Sequence, residues 1–358
     1  MKPVFIGLND IANVPMTLKL ALGKNGLKCD YYKWSNDEEN TFGYKHDKVF
    51  FLFHNPPPFR IFGKNPFWAV NKLLSLFYLL YSVTKYRYFI FISPKTFFLN
   101  NRDLGLLKFF KKKIIILFTG CVERDVNFKE ADDDYLCKRC KDLNLQKWCF
   151  CGDVNKKRAL VRRLESYSDM IIGQDDITSY VEDKSKLIWL YLITEYPKKK
   201  ANLAEKYSQK EIRIMHLPSN PLVKQSHIII PVLKKFENLK GVRIILRDDV
   251  WSRERVEEEL YKAHIVVNAL GAGYNTLPIE AMSNGCTVFN GHPEWFRRNV
   301  PEAPIISVTA ANLEDTLRYY INNRQELRDI AEKSVIYYEK YHSPESAGKY
   351  YKAKLKQL

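Results

Sequence analysis

Short apolar runs alternate with segments of helical spacing along most of this chain, and that alternation constrains its fold more than any other feature. In the first third, β-branched and aromatic side chains give five runs the character of buried strands: KPVFIGL, KCDYYKW, KVFFLF, YRYFIFI and KKKIIILF. Segments with apolar residues at helical spacing lie between them, at 9–26, 69–83 and 102–110. Strands separated by helices are typical of βαβ units, so we predict a parallel sheet.

The second half of the chain repeats this order. The strand-like runs EIRIMHL, VRIILRD, HIVVNAL and CTVFN alternate with predicted helices at 227–238, 253–263 and 278–284. We therefore predict an α/β protein of two Rossmann-like domains with a cleft between them. The predicted domains cover 1–195 and 196–335. A Cys-rich insertion at about 121–153 belongs to the first, and a C-terminal helix at about 336–358 crosses back to it.

The charge of the chain is basic and uneven. Its 358 residues carry 57 basic and 41 acidic side chains, a formal net charge of +16. Residues 1–200 hold 34 basic and 22 acidic side chains, whereas 201–358 hold 23 and 19. From 48 to 122 there are 12 basic side chains and one acidic side chain. Such an excess favours anionic partners: nucleic acid, an anionic membrane surface or phosphorylated substrates.

The start of the chain lacks the apolar core and cleavage site of a secretory signal, so we expect a cytoplasmic protein with reduced thiols. The most apolar window, 67–83, contains Asn71, Lys72 and Ser75 and is shorter than the roughly 20 apolar residues of a spanning helix. We expect a buried or surface-lying amphipathic helix there. The basic stretch around it would attract an anionic leaflet by about 1 kcal/mol per Lys or Arg, which suggests peripheral membrane binding. Generic basicity is the alternative.

Four of the seven cysteines fall close together: Cys137, Cys140, Cys149 and Cys151. Thiolates at this spacing can converge on a tetrahedral Zn²⁺, which favours closed Cys₄ shells in structural sites. The polar surroundings offer little core, and a bound metal would supply the missing stability. A structural zinc is one interpretation, and free thiols, a redox pair or a metal cluster are the others. No further ligand is placed for an open metal position, so we expect no catalytic metal.

The stretch HIVVNALGAGYNTLPIEAMSNGCTVFN, residues 264–290, ends a strand in a Gly-rich loop that opens a helix. Backbone N–H groups of such a loop can approach an anion, and the N-terminus of the helix adds a favourable dipole. Glu280, one turn into the helix, can hold a ribose diol through two charge-assisted hydrogen bonds. A tight strand-to-helix turn without a ligand is the alternative.

Within this stretch, GAGYNTLPIEAMSNGCTVF resembles the donor-site signature of family 4 of the retaining glycosyltransferases, E-G-F-G-x-x-x-x-E-A-M-A-x-G-x-P-V. The resemblance assigns Glu280 to the nucleotide ribose. Three positions depart: Ala272 stands where a glutamate contacts the donor sugar, Asn275 replaces a glycine, and Thr287 replaces the usual proline. The matching positions are Gly273, Tyr274, Glu280, Ala281, Met282, Gly285 and Val288.

Two other stretches are similar to a bacterial and archaeal subgroup of that family. IRIMHLPSNPLVKQS resembles H-x-P-S-N-x-x-x-K-G-T, which assigns Lys224 to the donor diphosphate. LNNRDLGLLKFFKKKIIILFTGCVERD resembles D-L-P-L-L-K-K-x-G-K-K-I-V-x-x-x-H-G-C-D-x-R, with Thr119 at the histidine position. The resemblance implies the GT-B fold and transfer of a sugar, with retention, from a nucleotide-sugar donor to a glycan or lipid-linked acceptor.

The candidate donor-binding residues follow the strands of the second half. Lys224 would neutralise the diphosphate, backbone amides near Gly273 and Tyr274 would face it, and Asn275 would reach sugar hydroxyls. Instead of binding a ligand, Lys224 could be a solvated surface lysine. Glu280 could likewise be a carboxylate favoured by the dipole at the N-terminus of a helix. The full candidate set is Glu280, Lys224, Gly273, Tyr274, Asn275, Ser219, Asn220 and Arg247.

Three members of this set have structural alternatives. Ser219 and Asn220 border the predicted phosphate loop or cap a helix. Arg247 adds a positive charge or forms an ion pair with Asp248 or Asp249.

On the acceptor side, polar residues lie in the loops after two predicted strands, where open α/β sheets bind ligands. The guanidinium of Arg124 suits an acceptor phosphate, or else pairs with Glu123 or Asp125. His216 and His292 could transfer protons, although a structural role fits a lone histidine at a strand end equally well. No general base is assigned. The acceptor-side candidates are Asn9, Asp10, Asn13 and Arg124.

Three other functions remain as alternatives. A GT-B sugar epimerase would share the nucleotide site without an acceptor, and a donor-binding pseudoenzyme is consistent with Ala272 and Thr119. A basic zinc-containing nucleic-acid-binding protein would use the cysteines and the charge. That last function leaves unexplained the predicted helix that carries Glu280, Ala281 and Met282. No RNP-like or helix-turn-helix pattern is present either, so we expect no nucleic-acid partner.

Overall fold

A computed structural model describes residues 3–34, 48–52, 66–98, 100–131, 135–142, 153–247, 249, 251–271 and 275–358, called the described part of the chain below. The chain divides into two compact units. The first unit comprises Met1–Asp125, Cys149–Leu190 and Gly348–Leu358, and the second comprises Val126–Trp148 and Tyr191–Ala347.

The first unit is built on a parallel sheet. Its strands are β1 Val4–Leu8, β2 Cys29–Trp34, β3 Lys48–Phe50, β4 Tyr88–Ile92, β5 Lys113–Leu117, β6 Met170–Gly173 and β7 Leu187–Trp189. In the described part these seven strands lie in the order β3-β2-β1-β4-β5-β6-β7. The helices before Leu190 are α1 Val14–Lys24, α2 Pro66–Lys85, α3 Asp103–Phe109, α4 Leu136–Asp142, α5 Val154–Tyr167 and α6 Asp175–Thr178, of which α4 belongs to the second unit.

Helices cover this sheet on both sides, which explains why β1 and β4 are buried along their whole length. Right-handed crossovers place α2, α3 and α5 on one side and α1 on the other. The core on the first side is aromatic, with the ring of Phe5 at 5.3 Å from that of Tyr32 and 5.3 Å from that of Phe89. The central strands are therefore fixed by packing from two sides.

The second unit repeats this design on a smaller sheet. Its strands are β8 Ile212–His216, β9 Val242–Leu246, β10 Ile265–Val267, β11 Thr287–Asn290 and β12 Ile305–Ser307. The described strands run parallel in the order β12-β11-β10-β8-β9. Its helices are α7 Leu203–Ser208, α8 Ser226–Lys234, α9 Arg253–Lys262, α10 Thr276–Ser283, α11 Glu294–Arg297, α12 Leu313–Asn322 and α13 Arg324–Tyr341. The last helix, α14 Pro344–Lys356, begins in the second unit, and from Gly348 onward it belongs to the first.

Among the described helices, α2 alone has the length and hydropathy of a membrane span, with 20 residues and a mean hydropathy of 1.2 in its most apolar window. Only 22% of that window is buried. One side packs on the first sheet, where Leu79 and Val83 are buried and the ring of Tyr78 stacks on Phe50 at 4.3 Å. The expected surface-lying helix is present, but its outward side is apolar rather than polar.

Candidate functional site

The loops that leave β8, β10 and β11 define the candidate site in the second unit. These strands are parallel and adjacent, so their carboxyl ends lie at one edge of the sheet, which is where open α/β sheets bind ligands. The loop after β8 carries the predicted diphosphate lysine, and α10, which follows β10, carries Glu280.

Two buried asparagines hold Lys224 at this edge. The ammonium of Lys224 donates to Asn268 Oδ1 at 3.2 Å, and Asn268 Nδ2 donates to Asn290 Oδ1 at 2.6 Å. Asn290 Nδ2 in turn donates to the carbonyl of Gly291 at 2.6 Å. Because each amide nitrogen is committed to an acceptor, the oxygen of Asn268 faces the lysine. The chain of bonds fixes a cation at the ends of β10 and β11.

His216 ends β8 and has both ring nitrogens engaged. Nδ1 lies 2.8 Å from the carbonyl of Val267, so it donates, and Nε2 lies 2.8 Å from the hydroxyl of Ser226. Burial lowers the pKa of His216 to about 4, which keeps the ring neutral near neutral pH. These contacts tie β8 to β10 and α8, a structural role.

Gln225 connects the first loop to the second. It has a φ of +56° and is buried, and its Oε1 accepts a hydrogen bond from the N–H of Leu270 at 3.0 Å. A residue with a Cβ rarely adopts this left-handed conformation, since it costs about 1–2 kcal/mol. The side-chain bond fixes the start of the Gly-rich loop. Gln225, Asn268 and Asn290 are not among the site residues predicted from the sequence.

Glu280 lies in the middle of α10 with 14% of its side chain exposed. Arg253, the first residue of α9, donates from Nη1 to Glu280 Oε1 at 2.7 Å and from Nε to Glu257 Oε1 at 3.2 Å. Burial raises the pKa of Glu280, and the guanidinium of Arg253 works against that rise. Among the described residues no hydrogen bond reaches Glu280 Oε2, so one carboxylate oxygen is available to a ligand.

The remaining donor-side candidates are spread along the same edge. Ser219 and Asn220 are exposed, and Asn220 Oδ1 accepts from the N–H groups of Leu222 and Val223 at 3.1 and 3.2 Å. These bonds stabilise the turn before α8, whose N-cap is Gln225, so Asn220 does not cap that helix. Asn275 is the N-cap of α10, but its side chain makes no cap hydrogen bond.

Arg247 follows β9. It donates from Nε to the carbonyl of Asp249 at 2.6 Å and from Nη1 to the carbonyl of Pro218 at 3.5 Å. Gly273 and Tyr274 lie outside the described residues, as does Ala272.

The loop after β11 adds an unpaired nitrogen to this edge. A Cβ at Gly291 would lie 1.9 Å from the carbonyl oxygen of Leu270, so only glycine permits this approach to the Gly-rich loop. The next residue, His292, is buried, and its Nε2 has no hydrogen-bond partner in the described part. Burial lowers its pKa to about 4. A neutral imidazole nitrogen without a partner is therefore enclosed beside the loop.

In the first unit, the acceptor-side candidates follow β1 and β5. Asn9 Nδ2 donates to the carbonyl of Ser93 at 3.5 Å, and Asp10 is half-buried. Asn13 precedes α1 with a φ of +61° and does not cap it. The buried atoms without a hydrogen-bond partner in the described part include Asn13 Oδ1, Thr119 Oγ1 and Arg124 Nε. Polar atoms at the carboxyl edge of the first sheet therefore remain able to form hydrogen bonds with a ligand.

Arg124 pairs with Asp176 of α6, rather than with Glu123 or Asp125 as its sequence neighbours suggested. The reason is topological, because α6 follows β6 and β6 lies beside β5. Asp125 instead accepts from the hydroxyl of Tyr180 at 2.7 Å.

A buried lysine that the sequence analysis missed holds this loop in place. Lys157 of α5 donates from Nζ to the carbonyls of Cys121 and Arg124 at 2.6 and 2.9 Å.

The cysteine cluster is only partly within the described residues. Cys137 and Cys140 lie one turn apart on α4, and both are buried. Cys149 and Cys151 lie outside the described residues. Groups of three or more metal-ligating side chains are absent from the described part. The structural zinc therefore stays a prediction.

No family model matches the sequence, and no curated protein matches it. Solved structures do match over the whole chain. One is HepE of Anabaena in complex with UDP-glucose, at 9% identity, with 100% of both chains covered and a TM-score of 0.62. Another is sucrose-phosphate synthase from Thermosynechococcus elongatus, at 12% identity, with 100% of this chain and 99% of that one covered and a TM-score of 0.64.

A third is the UDP-forming α,α-trehalose-phosphate synthase from Burkholderia xenovorans in complex with glucose-6-phosphate, at 11% identity, with 100% of both chains covered and a TM-score of 0.57. The chain has the GT-B fold. This confirms the predicted fold class of two Rossmann-like α/β domains. At 9–12% sequence identity, the similarity to these structures shows the fold and does not show the activity.

Proposed function

We propose that the chain is a glycosyltransferase that moves a sugar, with retention, from a nucleotide-sugar donor to a glycan or lipid-linked acceptor in polysaccharide or glycoconjugate assembly. The observation that carries the proposal is Lys224, held by the Asn268 amide at the carboxyl edge of the second sheet. A cation fixed at this edge suits the diphosphate of a nucleotide sugar. Two of the matched structures have a sugar ligand in their names, UDP-glucose and glucose-6-phosphate.

Glu280 would bind the nucleotide. Its Oε1 is held by Arg253, which favours the charged carboxylate and leaves Oε2 to accept from a ribose hydroxyl. The N-terminal turn of α10 and the N–H groups of the preceding loop would face the diphosphate. His292 Nε2 would form a hydrogen bond with the nucleotide sugar at the same edge, since it has no protein partner in the described part.

The chemistry asks for positioning and electrostatics rather than a covalent protein intermediate. The bond between the anomeric carbon and the phosphate oxygen breaks, and the acceptor hydroxyl oxygen forms a bond on the same face of the sugar. The acceptor proton leaves with the nucleoside diphosphate or passes to water. Lys224 would stabilise the negative charge that builds on the leaving diphosphate. On the acceptor side, Asn13 Oδ1 and Thr119 Oγ1 are buried atoms able to bind acceptor hydroxyls.

A thermal-shift screen with UDP-, GDP-, ADP- and dTDP-sugars tests the proposal, followed by assay of nucleoside diphosphate release from the best ligand. We expect one nucleotide class to raise the melting temperature and to be consumed. Lys224→Met should abolish the release, whereas Lys235→Met, at an exposed lysine in an ion pair with Glu314, should not. No stabilisation by any nucleotide sugar would refute the proposal.

A donor-binding protein without transferase activity is the second candidate. Thr119 favours it, because it stands at the histidine position of the family motif and its hydroxyl has no partner in the described part. Stabilisation by a nucleotide sugar without any consumption of it, in the presence of glycan and lipid-linked acceptors, would support this candidate. Conversion of the donor sugar to its epimer would instead identify an epimerase.

A further inference from the structure

The outward side of α2 is a continuous apolar surface, which we call the α2 surface. It consists of side chains that are all more than a third exposed: Val70, Leu73, Leu76, Phe77, Leu80 and Tyr81. Leu73 and Phe77 are 67% and 63% exposed. They lie one helical turn apart, so they point the same way. A water-soluble helix places polar residues on this side, and an apolar patch of this extent marks a binding surface.

A second group of exposed aromatic side chains lies at the end of α3, on the same side of the sheet. Phe109 is 78% exposed and Phe110 is 42% exposed. The segments that follow α2 and α3 are in contact, since Lys112 Nζ donates to the carbonyl of Tyr86 at 2.9 Å. The C-terminal ends of both helices therefore lie at the same edge of the first sheet, where β4 and β5 begin.

Unpaired positive charge surrounds these apolar groups. Lys72, Arg87 and Lys111 are exposed, and no carboxylate in the described part forms an ion pair with them. The nearby carboxylates are already committed. Asp30 is paired with two lysines, Lys48 and Lys85, and Asp169 is likewise paired with lysines.

We propose that the α2 surface docks the protein on an anionic phospholipid leaflet, with α2 lying in the plane of the interface. An apolar side flanked by uncompensated cations is the pattern of helices that bind anionic lipid. Tyr81 of this surface and Trp68, which is 59% exposed in the first turn of the helix, are residue types that favour the headgroup region, the depth at which a helix in the plane of the interface lies. The other side of α2 is occupied by the first sheet through Leu79 and Val83, which favours docking over spanning.

This proposal goes beyond the glycosyltransferase proposal and does not depend on it, because lipid binding is measured without any nucleotide sugar. A second copy of the chain is the competing occupant of an apolar surface. Its own rim would present the same cations, so a self-complementary contact would bring like charges together. An anionic leaflet satisfies both the apolar side chains and the cations.

Co-sedimentation with vesicles tests the proposal on the full chain. The vesicles are phosphatidylcholine and phosphatidylglycerol in equal parts, or phosphatidylcholine alone. We expect binding to the anionic vesicles that weakens as salt is raised. The double substitution Leu73→Gln/Phe77→Gln should weaken binding about tenfold or more, since it removes the two most exposed large apolar side chains of the helix. Ile336→Gln, a 64% exposed apolar residue on α13, is the matched control and should bind as the parent does.

Quenching by lipids brominated in the acyl chain reports where the helix sits. The parent should lose tryptophan fluorescence on binding, and Trp68→Phe should lose most of that quenching while binding vesicles.

Four results would overturn the proposal. Failure to bind anionic vesicles is one, and equal binding by Leu73→Gln/Phe77→Gln is another. A lipid-free dimer that this double substitution converts to monomer would assign the α2 surface to a second copy. Resistance of the bound protein to alkaline carbonate would indicate a spanning helix instead.

Discussion

Lys157 lies in the interior of the first unit, where its ammonium donates to two carbonyls of the loop after β5. Replacing Lys157 with Met should leave both carbonyls unsatisfied and should lower the free energy of unfolding by about 1–3 kcal/mol. The neighbouring Lys156, with an 80% exposed side chain, is the matched control. Lys156→Met should change the free energy by less than about 0.5 kcal/mol. Urea denaturation measures the free energy of unfolding of both variants. Equal effects would contradict a role of Lys157 in holding the loop after β5.

His292 makes the stability of the second unit depend on pH. Its pKa falls from the usual 6.5 to about 4 on folding, because burial penalises the charged ring. Between those values the unfolded chain binds a proton that the folded chain does not, so stability falls as the pH drops through this window. From pH 7 to pH 5 the part of this loss that is due to His292 should be about 2 kcal/mol.

The variant His292→Leu isolates this effect, since other titrating groups are unchanged. The drop in melting temperature between pH 7 and pH 5 should be smaller in His292→Leu than in the parent. In His227→Gln, at an exposed histidine, it should match the parent. An unchanged drop in His292→Leu would show that the buried ring is not responsible.

At this scale the sequence pointed to the residues that carry family motifs and missed those that hold them. Glu280 and Lys224 were found through their motifs, and both lie in segments that follow strands at the carboxyl edge of the second sheet. Asn268 and Asn290 are 22 positions apart and meet only because β10 and β11 are adjacent. Lys157 reaches a loop more than 30 positions away. No local pattern predicts such partners.

Helix α8 is preceded by its N-cap Gln225, which has a left-handed conformation at the position where the resembled motif has glycine. Gln225→Gly should relieve about 1–2 kcal/mol of backbone strain while losing one side-chain hydrogen bond of similar worth. Gln225→Ala should lose the bond and keep the strain. We expect the melting temperature of the Gly variant to be close to the parent and that of the Ala variant to be lower. An Ala variant as stable as the parent would show that the side-chain bond to Leu270 is unimportant, and a Gly variant less stable than the Ala variant would show that the left-handed conformation carries no strain.

Helix α4 carries the two described cysteines of the predicted zinc site on one side. If Cys149 and Cys151 complete a Cys₄ shell, the purified protein should contain one zinc per chain, and chelation should lower its melting temperature. Elemental analysis and a chelator titration measure this. A clear absence of metal from protein purified under reducing conditions would leave the cysteines as free thiols.

The sequence predicted elements best where the apolar run was long. The runs KPVFIGL and VRIILRD became β1 and β9, and Arg253–Lys262 matches the predicted helix 253–263. The predicted runs did not include the strands β6, β7 and β12, which have three or four residues each. The outward polarity of α2 was also missed, since periodicity locates a helix but leaves open which side meets the sheet.

At the scale of the whole molecule, two parallel sheets of the GT-B fold place polar residues at their carboxyl edges. The alternation of strands and helices predicted this architecture, because it leaves few topologies once crossovers are right-handed. Strand order could not be deduced from the sequence. It decides that Lys224 meets Asn268 and that Arg124 meets Asp176, and so it determines the composition of both edges.

Under the proposed function, the carboxyl edge of the second sheet binds a nucleotide sugar through Glu280. Isothermal titration of the best-stabilising nucleotide sugar tests it, with Glu257→Gln as the control that perturbs the same Arg253 but spares the proposed ribose ligand. We predict that Glu280→Gln raises the Kd by about tenfold to a hundredfold, as expected for loss of a charge-assisted hydrogen bond. Glu257→Gln should leave the Kd nearly unchanged. An unchanged Kd in Glu280→Gln would contradict the account.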